Sequence, residues 1–199
     1  MRFAGGIIVL ERSDIREESI AMFQWGVVIG ASLIAALGDL KERRIPNALT
    51  FPVLVVGLIW SAWFGGFLGF AESVGACVLL ALPYVILFIF FGGGAGDAKL
   101  MGALGAWLGF RQGLVVLACV AIAGGIQGIA KAIVRKRLKF VLTSVYVSFF
   151  GFFLPLFTNR KIQLAKVQTE ARQSDNLNIP YGVAIFAGVC AAGGIIWLL

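Results

Sequence analysis

The chain has 199 residues, 60% of them hydrophobic and only 14% charged. A soluble fold of this length could not hide so much hydrocarbon, so its solvent must be lipid. The net charge is +7, but the cations sit in short runs between apolar spans. That pattern fits anchoring to an anionic leaflet and argues against nucleic-acid binding.

Histidine is absent, which excludes Ser-His and Cys-His catalysis and His-ligated metals. The apolar runs are continuous and do not alternate as barrel strands do. The expected fold is therefore all-α and polytopic, with about six transmembrane helices and one additional interfacial or re-entrant helix.

Residues 1–19 are mixed and end in "ERSDIREES". They lack the basic start, long apolar core and small-residue cleavage site of a secretory signal, and read as an N-terminal tail. Residues 20–199 form the membrane domain. A first span covers 20–40, followed by the polar connector "KERRIPNALT". Spans at 51–70 and 73–91 lead to the glycine-rich break "GGGAGD", and a short apolar helix at 98–110 is closed by Arg111 and Gln112. The next span is 113–134. After the basic run "RKRLK" comes an ambiguous apolar stretch at 140–157, then a polar one at 158–178, and a last span at 180–199. Cys77, Cys119 and Cys190 lie singly in separate apolar runs and read as small core residues, not as a zinc or disulfide framework.

Charge decides whether 140–157 crosses. If it lies in the interface, six crossings result and thirteen of the seventeen Lys and Arg share one face. If it crosses, the split is nine to eight. The positive-inside tendency favours six crossings with the basic face cytoplasmic, and the aromatic character of the stretch with its cationic lead-in suits an interfacial helix.

Beyond the tail the acids are Asp39, Glu42, Glu72, Asp97, Glu170 and Asp175. Glu42, Glu170 and Asp175 fall in polar connectors, and Glu72 falls between the second and third spans. Asp39 closes the first span and Asp97 opens the short helix. Two spans separate them, so both acids lie at the same membrane face. The thirteen-residue helix reaches only about 20 Å at 1.5 Å per residue, less than a hydrocarbon core of roughly 30 Å. Asp97 therefore starts below the interface, where an ionisable group points to function.

Two carboxyl groups in a partly desolvated cavity share one proton. That gives one base to activate water and one acid to polarise a carbonyl, a set suited to peptide hydrolysis. Gly92, Gly93, Gly94 and Gly96 allow unusual backbone turns and close approach of a substrate strand. Gly102, Gly105, Ala106 and Gly109 form a small-residue stripe for tight helix packing. Taken singly, Asp39 reads equally as a helix-end acid balancing Lys41 or Arg43, and Asp97 as an N-cap. A phosphate loop is excluded because no G-K-S/T follows.

Three motifs in order, "DLKERRIPN" at 39–47, "GAGDAKL" at 94–100 and "IPYGVAI" at 179–185, resemble the prepilin peptidases, membrane aspartyl proteases of the G-x-G-D type. The size and the last motif look most like the small peptidases of tight-adherence (Flp) pilus systems. The resemblance implies that Asp39 and Asp97 are the catalytic pair, with no metal or cofactor. The implied partner is a prepilin, a membrane-embedded substrate whose short basic leader is cut at the cytoplasmic face of a bacterial inner membrane. It implies that Gly94 and Gly96 shape the active-site loop and that Lys99 stabilises it or meets an acid on the prepilin. Arg44, Ile45, Pro46 and Asn47 would fix the connector below Asp39, and Pro180, Tyr181 and Gly182 would approach from the last span.

Longer relatives carry a cytoplasmic segment with paired cysteines and N-methylate the new terminus; that segment is not found here, and methyltransferase activity is not expected. Archaeal preflagellin peptidases share the two-Asp logic and remain an alternative. Presenilin-like proteases expect Tyr-Asp in the partner helix, where Leu37-Gly38 precedes Asp39 here. A proton-coupled membrane carrier is the non-enzymatic alternative; transporters often interrupt helices in both halves, and only one broken segment is evident.

Overall fold

The computed structural model describes residues 4–42, 45–91, 94–134 and 181–198. The described residues form four helices: α1 (Ala4–Glu42), α2 (Asn47–Phe91), α3 (Ala95–Val134) and α4 (Tyr181–Leu198). Each contains a stretch long and apolar enough to cross a membrane: Glu18–Glu42, Asn47–Ile89, Ala95–Ala130 and Tyr181–Leu198. The protein is an all-α membrane protein. The helical backbone of α1 starts at Ala4, so the stretch read as a tail runs into the first span without a break from that residue onward. The expected interfacial helix at 140–157 lies outside the described residues.

At 45 residues, α2 would measure about 67 Å if straight, more than twice the roughly 30 Å of hydrocarbon it has to fit. It does not run straight. Gly66 has φ 60° and ψ −148°, a left-handed conformation that favours glycine. The Ser61 and Ser73 hydroxyls both donate to the Ala106 carbonyl, at 3.1 and 2.7 Å. In one unbroken helix those serines would stand about 18 Å apart, so α2 is a helical hairpin folded at Gly66.

α3 folds back in the same way at Gly109 (φ 67°, ψ −170°). Ahead of the turn, Gly102 faces Ala81 and Cys77, and Gly105 faces Ala76; beyond it, Gly113 faces Leu80. The partner numbers fall and then rise, as a reversal requires. Two expectations are corrected here. The first turn comes at Gly66 and not after residue 70, which places Glu72 inside a helix. Gly109 makes a turn and is not part of a packing stripe, although Gly102 and Gly105 do pack closely on α2.

At the second turn both ends of one interrupted helical hydrogen bond find new partners. A regular helix would join the Phe110 N–H to the Ala106 carbonyl. Here the Phe110 N–H donates to Glu72 Oε1 at 3.4 Å, while Ala106 takes the two serine hydroxyls. In lipid, where water does not reach, such replacement is required. Ser73→Ala alone should be mild, because Ser61 still serves the carbonyl. Ser61→Ala and Ser73→Ala together should cost about 1–3 kcal/mol by stranding it, read as thermal unfolding in detergent. Equal costs for the single and double variants would contradict this account.

The core is built on α3. Leu100, Met101, Leu104, Trp107, Val116 and Val120 pack with Leu80 and Tyr84 of α2, Ile185 and Val189 of α4, and Val28 and Ala35 of α1. α3 packs mainly on α2 and α4, and α1 joins the bundle chiefly through α4. α1 meets α2 where Phe23 stacks on Trp60, 4.9 Å between ring centroids. Phe51, Ile59, Trp63, Phe67 and Leu68 are exposed, as residues facing acyl chains should be. The three cysteines are free.

Candidate active site

Four chain segments meet at one end of the bundle: the last turn of α1 and the first turns of α2, α3 and α4. Asp39 lies in that last turn and is 8% exposed. Its Oδ2 accepts the Gly182 N–H at 2.7 Å. Gly182 is the second residue of α4, where an N–H has no partner within the helix and a carboxylate sits favourably against the helix dipole. A side chain at position 182 would stand 3.0 Å from Asp39 Cβ and 3.2 Å from Ala36 Cα. Glycine is what lets α4 come this close to α1.

Asp97 is the third residue of α3 and half-buried. The turn is closed by the Ala98 N–H donating to the Gly94 carbonyl at 3.2 Å. Gly94 precedes the helix with φ 67°, so it occupies the capping position and Asp97 is not the N-cap. The carboxyl group folds back over Gly94: a Cβ there would be 2.5 Å from Asp97 Oδ2. Asp97 is within electrostatic range of Asp39. The end of α1 and the start of α3 thus present two carboxyl groups to one space, one well buried and one half open.

The connector before α2 supports this arrangement from below. Pro46 starts α2, its carbonyl accepting the N–H groups of Leu49 and Thr50 at 3.0 and 3.4 Å. Ile45 packs against Gly96, where an added Cβ would approach Ile45 Cβ to 3.0 Å. The Lys99 ammonium donates to Asn47 Oδ1 at 2.9 Å, linking the first turns of α2 and α3. Tyr181, the first residue of α4, meets Tyr84 of α2 edge to face, 6.0 Å between centroids and 67° between planes.

Of the residues singled out in the sequence, Asp39, Pro46, Asn47, Gly94, Gly96, Asp97, Lys99, Tyr181 and Gly182 gather here. Arg44 and Pro180 lie outside the described residues. Sequence reasoning missed Tyr84, whose only signal is one hydroxyl in the apolar run "LPYVILFIFF". Among the described residues, no group of three His, Cys, Asp or Glu is placed to hold a metal ion.

Residues 26–129, just over half of the chain and including both acids, match the model of the Type IV leader peptidase family. A prepilin leader peptidase/N-methyltransferase of Aeromonas hydrophila is 35% identical over 106 residues, covering 50% of this chain and 36% of that protein. The protein of that name in Burkholderia pseudomallei (strain 1026b) is 33% identical over 127 residues, covering 60% and 40%. That of Neisseria gonorrhoeae is 31% identical over 120 residues, covering 56% and 42%. The matches thus span less than half the length of these curated relatives. No solved structure matches the chain.

Proposed function

The chain belongs to the type IV leader peptidase family, and on that premise we propose that it is a prepilin leader peptidase using Asp39 and Asp97 as its catalytic pair. The observation that supports this reading is that the end of α1 and the start of α3 bring the two carboxyl groups to the same end of the bundle, within electrostatic range of each other. The pair holds one proton. The ionised carboxyl takes a proton from a water between them as its oxygen attacks the scissile carbonyl carbon, and the protonated carboxyl gives its proton to the carbonyl oxygen. The second half reverses the roles: the amide nitrogen receives a proton, the C–N bond breaks, and one diol hydroxyl returns its proton to the other acid. The products are the leader's carboxyl end and the amino end of the mature chain, and the pair again holds one proton.

The rest of the site supports this chemistry. Gly182 fixes Asp39 by its N–H, Gly94 leaves room for Asp97, and the Lys99–Asn47 bond holds the connector against α3. Among the described residues the two hairpins would contribute two crossings each, and α1 and α4 one each, making six. With the cationic connectors on the inner side, the acids lie at the cytoplasmic face of a bacterial inner membrane, where a basic leader emerging from a membrane-embedded helix would reach them.

Co-expression with a candidate prepilin from the same genome tests the proposal by gel mobility. A shift to the mature size is the expected result. An uncut prepilin beside a well-inserted chain, or proton-coupled uptake without cleavage, would overturn it.

A further inference from the structure

Tyr84 takes no part in the chemistry above, yet its setting is unusual. It is 6% exposed within an apolar helix, where a phenylalanine would fill the same space without burying a hydroxyl. A buried phenol needs a partner. The neighbour placed to supply one is Tyr181, whose ring meets it edge to face. The Tyr181 hydroxyl also lies over Gly124 of α3, where any side chain would run into it. The first residue of α4 is therefore held between α2 and α3. The next residue is Gly182, whose N–H holds Asp39.

We propose that Tyr84 is a positioning residue: by holding Tyr181 it sets the first turn of α4, and through the Gly182 N–H it keeps Asp39 aligned with Asp97. The inference rests on the hydrolytic reading of the two acids. α1 touches α2 and α3 only sparingly and joins the bundle chiefly through α4. The separation of the acids consequently depends on where α4 begins, and the tyrosine pair sets that point. In this role Tyr84 acts through the backbone of its neighbour's neighbour.

The test uses the full chain in detergent with a purified prepilin, comparing wild type, Tyr84→Phe, Tyr181→Phe and the double variant. Each single variant should lower kcat roughly tenfold, as expected for a small misalignment of reacting groups, with KM unchanged. The double variant should be no worse than the poorer single one, because the two hydroxyls act as one unit. If wild type fails to cleave, the hydrolytic reading falls and this inference falls with it. If wild type cleaves and Tyr84→Phe keeps its kcat, the positioning role alone is overturned. A raised KM at unchanged kcat, or additive losses in the double variant, would overturn it too. Tyr181→Phe, at a half-exposed site, keeps the test open if Tyr84→Phe inserts poorly.

Discussion

Asp97→Asn is expected to stop leader cleavage while leaving the protein folded and inserted. The carboxamide has nearly the shape of the carboxyl group, so the turn over Gly94 survives, but it neither takes a proton from water nor gives one to a carbonyl. General acid–base catalysis by one positioned group contributes about 10²–10⁴-fold, and in the proposed cycle each acid works in both halves. The loss should reach the upper end of that range. Asp39→Asn should be equally severe, although its amide oxygen can still accept the Gly182 N–H and hold α4 in place. Groups that act as a unit lose activity non-additively, so the double variant should match either single one. The measurement is the fraction of prepilin matured, set against the amount of each variant in the membrane. Substantial maturation by either single variant would remove the two-acid mechanism.

The helical membrane class was legible because hydropathy alone decides it. So was the relation between the acids: two intervening spans put Asp39 and Asp97 at one face whatever the turns between them look like. The turns themselves were not legible. The segment "WFGGFLGF" stays apolar through the reversal at Gly66, so nothing in its hydropathy marks the fold-back, and the first polar residue, Glu72, comes six positions later. That residue looked like a connector acid, yet it caps the broken bond at the next turn.

Gly109 failed for a related reason. A glycine spaced for packing and a glycine with positive φ are the same letter in the sequence. The site was legible in its short-range parts, where Gly94 to Lys99 lie within one turn and a half. Tyr84 was invisible because its meaning comes from Tyr181, far along the chain, and only the fold brings the two rings together.

Gly94→Ala should separate catalysis from folding. Gly94 has φ 67°, where an L-residue pays about 1–2 kcal/mol. It stands exposed before the helix, so this cost alone should leave the protein inserted. The steric effect is larger in its consequence. The new methyl would lie 2.5 Å from Asp97 Oδ2, closer than any real contact, and the carboxyl group has to swing away from its place opposite Asp39. A shift of about 1 Å in a reacting group costs on the order of 10²-fold, and a fall of that size is expected in kcat. Gly96→Ala is the control: its methyl meets Ile45 Cβ at 3.0 Å, an apolar neighbour and not the acid, so its loss should be smaller. Gly94→Asn divides the two causes, because asparagine tolerates the left-handed backbone but still crowds Asp97. It should regain stability relative to alanine and remain as inactive. If Gly94→Asn cleaves at the wild-type rate, the space above Gly94 is not what holds Asp97 in position, and the backbone conformation alone is what the glycine supplies.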